Sequence, residues 1–154
     1  KFGVTAALLP EPIRAYRAEA VRIAQKMAEV LGSHPALAMW QIDNEYGCHD
    51  TTLSYSASAR GAFRVWLSNR YGTIDRLNEA WGTRFWSMSY DSFAQVDLPN
   101  LTQTEASPSH RMDFRRFSSD QVARFHRAQA QAIRAICPEA VITHNFMGAH
   151  TSFD

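Results

Sequence analysis

The chain has 154 residues, 45% of them hydrophobic and 20% charged, with a formal net charge of +1. That is globular composition with length for about one domain, and a near-neutral surface supplies no field to draw in nucleic acid or an acidic membrane, so neither is expected as a partner. No apolar run approaches the ~18 residues of a membrane span. The two cysteines, Cys48 and Cys137, are too few and too far apart for a disulfide framework. The opening KFGVTAALLPEP leads straight into a helix rather than reading as a signal sequence, and together these features point to a cytoplasmic location.

From Glu11 to Leu31, Ile13, Tyr16, Ala20, Ile23, Ala24, Met27, Val30 and Leu31 fall at helical spacing, predicting a helix with one buried face. Gly32 is expected to end it in the left-handed conformation, and Pro35 to prevent its resumption. ALAMWQI (residues 36–42) is a near-continuous apolar run, the mark of a strand covered on both faces. A second helix is predicted from about Ser58 to Tyr71 with Phe63, Trp66 and Leu67 inward. A third follows Thr73 as N-cap and brings Ile74, Leu77, Ala80 and Trp81 together. Residues 82–109 show no sustained period and read as a long excursion. A last helix runs from about His110 to Ile136, with Phe114, Phe117, Val122, Phe125, Ala132, Ile133 and Ile136 inward, until Pro138 stops it. AVITHNFMG (residues 140–148) is a second apolar strand that ends in polar groups. Strands separated by helical crossovers imply parallel pairing with helices outside. In such architectures chemistry gathers at the carboxyl ends of the strands, where Asn44-Glu45 and His144-Asn145 stand.

WQIDNEYGCHD (Trp40 to Asp50) therefore holds the first candidate chemistry. A strand alternates faces, so Asp43 and Glu45 would point one way and Asn44 the other; for Asn44 and Glu45 to serve one ligand, the chain must bulge or turn there. A lone Glu in a loop is usually a solvated carboxylate. Glu45 follows an apolar run directly, which argues for burial, and burial favours the neutral acid. A neutral carboxyl beside a side-chain amide suits the leaving-group side of glycosidic cleavage, where a proton must reach the departing oxygen. His34, His49, His144 and His150 form no helical HxxxH pair, so no metal site is expected from them, and His34 is assigned to the turn before the strand. Trp81 has core spacing. Trp86, where no helical period competes, stays open between core filling and stacking on a sugar.

The segments HPALAMWQIDNEYGCHD, LNEAWGTRFWSMSYDSF and VITHNFMG resemble glycoside hydrolase family 42, β-galactosidases with a (β/α)8 catalytic domain, and the resemblance runs from about Tyr16 to the last residue. It implies an α/β fold, a partial (β/α)8 TIM barrel from about the third helix through the fifth strand. Residues 1–154 would then be a fragment of a single catalytic barrel domain, truncated at both ends. It also implies that the Asn-Glu pair ends the fourth strand, with Glu45 as general acid/base and Asn44 as a galactose-binding residue. The implied substrate is a terminal β-D-galactoside, with no cofactor, and the parent protein would be a homotrimer. The family's nucleophile is a second Glu near the end of the seventh strand, beyond this chain. A retaining mechanism needs that carboxylate ~5–5.5 Å from the first. Asp43, Asp50, Glu105 and Asp154 have no motif to recommend them, so the isolated chain is expected to be inactive. Two alternatives stay open: a related retaining β-glycosidase of different sugar preference, and a non-catalytic carbohydrate-binding relic.

The chain departs from the family in two places. Some members hold zinc with one upstream cysteine and three in the loop after the acid/base, where this chain has Ser54, Ser56 and Ala59; hydroxyls and a methyl do not replace thiolates, so no zinc is expected. After Phe-Gly, members carry a Ser-Arg-Arg-His-Tyr-Cys-Pro-Asn segment whose first Arg contacts galactose, where this chain reads VTAALLPE (Val4 to Glu11). One choice of synonymous codons for those eight residues, read one base later, encodes the family segment, which gives the expectation of a local, compensated frameshift.

Overall fold

The structure is a computed structural model that describes residues 11–48, 51, 53–100, 102, 105–146 and 148, the side chains of residues 11–13 and 86 excepted. Residues 4–10 of the suspected frameshift, with His49, Asp50, His150 and Asp154, lie outside the described residues. In chain order the elements are α1 (Glu11–Leu31), β1 (Trp40–Gln41), α2 (Ala57–Tyr71), α3 (Ile74–Trp81), short 3-10 turns at Phe85–Ser87 and Phe93–Gln95, α4 (Pro108–Ile136) and β2 (Ile142–Thr143). The chain divides into two compact units; among the described residues one comprises 11–13 with 54–117, the other 14–53 with 118–148.

In the first of these units, local chemistry sets the helix ends. Ser56, in extended conformation, accepts the Ala59 N–H at 3.1 Å and starts α2 one residue before the predicted position. Thr73 caps α3, with Asp75 in its first turn, and Gly82 closes it at φ 65°, sending its N–H to the Asn78 and Glu79 carbonyls. The core joins Phe63, Trp66 and Leu67 of α2, Leu77 and Trp81 of α3, Val96, Leu98, and His110, Phe114 and Phe117 of α4. The excursion without a period is held by side chains rather than by a ladder. Asn78 donates to the Tyr90 carbonyl at 2.7 Å and accepts from the Tyr90 N–H at 3.0 Å and the Thr83 hydroxyl at 2.8 Å. Arg64 Nε donates to the Val96 carbonyl at 2.6 Å.

In the other unit β1 and β2 pair in parallel, Trp40 opposite Ile142 and Gln41 opposite Thr143, the direction predicted from the intervening helices. Trp40 and Ile42 point into a core made with Ala24 and Ala28 of α1 and Ala130, Ala132 and Ile133 of α4. The pairing is shorter than the apolar runs. Residues 36–39, 144–146 and 148 are not strand, because Leu37 N–H closes a turn on His34 and a ladder extends only as far as both chains run side by side. Nor are both faces of β1 covered: Trp40 is buried toward the two helices, whereas Gln41, on the other face, is exposed. The expected buried face of α1 is corrected likewise. Ala24 and Ala28 are buried, whereas Tyr16, Ile23, Met27, Val30 and Leu31 are exposed, since the strands of this unit reach only the alanine stripe.

Gly32 does not take the left-handed conformation expected of a helix-ending glycine. Its N–H continues the helical pattern to the Ala28 carbonyl at 2.9 Å, and its lack of a side chain serves another purpose. A Cβ there would lie 2.2 Å from Cys137 Sγ and 2.5 Å from the Ala28 carbonyl oxygen. Close approach of the segment after α4 is what the position requires.

Candidate functional site

The candidate residues stand where β1 gives out. The ladder runs Trp40 N–H to Val141 carbonyl (2.9 Å) and Ile42 N–H to Thr143 carbonyl (3.1 Å), skips two residues, and resumes once as Glu45 N–H to Asn145 carbonyl (2.9 Å). Within that gap the chain turns. Asp43 has φ 58° and Glu45 φ 45°, both left-handed, with Gly47 at φ 86° after them. Left-handed backbone costs a non-glycine residue roughly 1–2 kcal/mol, and Asp, like Asn, tolerates it better than most because its short side chain can bond locally; here Asp43 Oδ1 accepts the Asn44 N–H at 2.8 Å. The strand alternation is thereby broken, and Asn44 and Glu45 can face one space.

Their side chains meet a group from the other strand. Asn145 Nδ2 donates to Asn44 Oδ1 at 2.8 Å and lies 3.4 Å from Glu45 Oε1. Gln41 Nε2 donates to the Asp43 carbonyl at 3.1 Å and reaches Asn44 Oδ1 at 3.4 Å. The amide oxygen of Asn44 is therefore committed to protein donors, and what Asn44 offers a ligand is its N–H2. Glu45 is half-buried rather than enclosed, and Asn44 and Asn145 are exposed. The burial expected for Glu45 from the apolar run stops at Ile42, because the turn lifts the following residues out of the core.

Beneath the turn lies an aromatic and imidazole cluster. The Tyr46 ring stacks on His144, centroids 4.4 Å apart and planes at 11°, and its hydroxyl is 3.4 Å from His126 Nδ1 on α4. His144 Nδ1 is 2.7 Å from the Ile42 carbonyl, which can only accept, so this nitrogen carries the proton. Burial first, then the charge of Asp43 and the neighbouring Tyr16, push the Tyr46 phenol up to about 12. Burial, helped by His144 and opposed by Asp43, lowers His126. Both therefore stay neutral at pH 7, so neither the Tyr46 phenol nor the His126 imidazole brings a charge that packing would have to desolvate.

The other sequence candidates fall elsewhere. Asp43 braces the turn. His34 Nδ1 accepts the Ala36 N–H at 3.1 Å, a turn role. Trp81 is buried, stacks on His110 at 4.7 Å and donates to Asp113, which places it in a core. Glu105 is exposed. Ser56 is the α2 cap and Ala59 is buried. Among the described residues no group of three or more His, Cys, Asp or Glu is placed to hold a metal ion, and no helix is long and apolar enough to cross a membrane. An open cavity of about 450 Å³ lies at the amino ends of the strands, lined by Leu37, Met39, Trp40, Cys137 and Pro138 among others, away from Glu45. Sequence reasoning missed Gln41, Tyr46 and His126. An aromatic directly after Asn-Glu was a signal available for Tyr46, but nothing in the chain order announces His126.

A family model described as beta-galactosidase, glycoside hydrolase family 42, matches residues 9–154. The chain is 55% identical over 139 residues to a beta-galactosidase of Thermus thermophilus, which covers 90% of the chain and 22% of that relative. With beta-galactosidase Bga of Halorubrum lacusprofundi the identity is 48%, over 87% of the chain and 19% of the relative. Among solved structures it superposes on a beta-galactosidase from the psychrophilic Marinomonas ef1 with TM-score 0.87 and 54% identity, covering 91% of the chain and 21% of that protein. The Halorubrum lacusprofundi enzyme gives TM-score 0.86 and 46% identity, covering 91% and 21%. The chain thus spans about a fifth of the length of the relatives it matches.

Proposed function

Because the chain belongs to glycoside hydrolase family 42, the beta-galactosidases, we propose that the protein carrying it hydrolyses terminal β-D-galactosides with retention, using Glu45 as general acid/base and Asn44 to hold the sugar. The chain would supply the third helix through the fifth strand of a (β/α)8 barrel, β1 being the fourth strand and β2 the fifth. The observation that carries the reading is the turn after β1, which sets Glu45 beside Asn44 and Asn145 at the carboxyl ends of two parallel strands. In such folds that is where reacting groups are mounted.

The chemistry follows from these groups. In the first step the Glu45 carboxyl gives its proton to the glycosidic oxygen as the C–O bond breaks, and a second carboxylate outside this chain forms the bond to the anomeric carbon. In the second step the Glu45 carboxylate takes a proton from water, whose oxygen displaces that carboxylate. Asn44 donates its N–H2 to a sugar hydroxyl, an alignment kept by Gln41 and Asn145 on its oxygen. Without the second carboxylate the isolated chain is inactive.

The test uses the full-length polypeptide carrying this chain, with Glu45→Ala. Hydrolysis of an alkyl β-galactoside should fall about 10²–10⁴-fold, the range for a lost general acid. Aryl galactosides, whose leaving groups need no proton, should lose less in bond cleavage, and azide should restore turnover by replacing the activated water. Wild-type rates on both substrate classes would end the assignment.

A further inference from the structure

We propose that His144, acting with Tyr46, is the positioning residue that sets the Glu45 carboxyl; the inference rests on the acid/base reading above and deepens it. The turn that carries Glu45 is held at few points. Its entry is the Ile42 carbonyl, where His144 Nδ1–H donates at 2.7 Å. Its exit is the Glu45 N–H, which donates to the Asn145 carbonyl at 2.9 Å. His144 and Asn145 are adjacent on the segment after β2, so one short piece of chain grips both ends of the turn.

Between those points Asp43 and Glu45 keep left-handed backbone. Such a conformation persists only where the surroundings over-determine it. Tyr46 supplies the remaining constraint. As the residue after Glu45 it lies flat on the His144 ring, and its hydroxyl reaches His126 of α4, tying the turn to the helix behind it. Phe146 meets the same imidazole edge-on at 4.9 Å. The His144 ring therefore has a hydrogen bond fixing its plane and aromatic neighbours against it, and it cannot follow the turn if the turn relaxes.

Nothing in the arrangement places His144 itself against substrate. It acts through Glu45, whose carboxyl must lie within hydrogen-bond reach of the departing oxygen, and misplacement by about 1 Å costs on the order of 10²-fold in rate. The amide of Asn reproduces the Nδ1–H donor of His without its ring, so His144→Asn keeps the grip on Ile42 while His144→Ala loses both.

The experiment compares His144→Ala, His144→Asn, Tyr46→Ala and Glu45→Ala in the full-length polypeptide carrying this chain, with rates expressed per folded molecule on alkyl and activated aryl β-galactosides. His144→Ala should lower kcat on the alkyl substrate about 10–100-fold with KM changed less than about threefold. Its loss in kcat/KM, which reports bond cleavage, should be smaller on the activated aryl substrate, the pattern of a misplaced acid. His144→Asn should recover at least about a third of the lost rate. Tyr46→Ala should show the same leaving-group dependence as His144→Ala. A His144→Ala enzyme with wild-type kcat, or one whose kcat/KM falls equally on both substrates and is not improved by Asn, would overturn the proposal. Glu45→Ala separates the two readings: if it too leaves the alkyl rate unchanged, the acid/base assignment itself has failed, whereas a large loss there beside an unaffected His144→Ala removes only the positioning role.

Discussion

Replacing Asp113 by alanine is expected to destabilise the unit holding it by about 2–6 kcal/mol. The carboxylate is 1% exposed and divides its work between two oxygens. Oδ2 accepts the Tyr71 hydroxyl and the Trp81 indole N–H, the latter at 2.9 Å. Oδ1 faces Arg116 at 3.0 Å and Arg70 at 3.6 Å. Alanine leaves the indole N–H without an acceptor in a ring only 6% exposed, a penalty of about 1–3 kcal/mol. Tyr71 is half-buried and can turn part-way to water, so its loss is nearer 1 kcal/mol. The two arginine side chains are 51% and 37% exposed, and each lost pair is worth about 0–1 kcal/mol in that screened setting. Asp113→Asn can keep one oxygen toward Tyr71 and Trp81 but sets an N–H2 against two guanidiniums, so it should cost about 1–2 kcal/mol. Adding Trp81→Phe to Asp113→Ala removes the orphaned donor, and the pair should fall short of additivity by about 1 kcal/mol. Urea unfolding of the chain, followed by indole fluorescence and by circular dichroism, reads all of these. An Asp113→Ala chain within 1 kcal/mol of wild type, or an asparagine as costly as alanine, would refute the division of labour between the two oxygens.

Gly32→Ala should cost about 1–3 kcal/mol through overpacking, and less when introduced beside Cys137→Ala, because the sulfur contact disappears while the Ala28 carbonyl at 2.5 Å remains; a neutral Gly32→Ala in urea titrations would show that the segment after α4 moves freely. Stability should also fall on acidification. Burial lowers the His110 pKa below the usual 6.5, only partly opposed by its bond to the Asp97 carbonyl and the charges of Asp113 and Asp97. The unfolded imidazole thus binds a proton at a pH where the folded one does not, so the contribution is full above 6.5 and is lost as pH drops below it, by up to about 1.4 kcal/mol per pH unit. His126 is shifted in the same direction and reinforces the slope. His110→Gln should flatten the acid limb of stability against pH, and an unchanged limb would remove His110 from the account.

How much of this was legible beforehand differs by element. The α2 start was read to within about a residue and the α3 start from Thr73, because a cap acts on backbone groups within a few positions of itself; the Ser56 cap and the Gly82 stop work the same way but were not read. The parallel pairing was readable too, since helices between strands leave little choice of direction. The strand lengths were not, because a ladder is a property of two segments and composition describes one at a time. The α1 face was misread for a related reason: its apolar residues state a preference for burial, but among the described ones only Ala24 and Ala28 are buried, with Val21 partly buried against the same core.

At the candidate site, the residue order alone determined that Asn44 and Glu45 leave an apolar run together and that a straight strand could not aim both at one ligand. Chain order says nothing of which distant groups converge on them. That Asn145 would bridge the two side chains, that His144 would hold the Ile42 carbonyl, and that Tyr46 would settle on His144 and His126 were decided by tertiary structure. The physical reason is separation. The helix caps depend on atoms a few bonds apart, whereas these contacts join positions 80 to 102 residues apart, and they exist only once α4 has returned the chain to lay β2 beside β1.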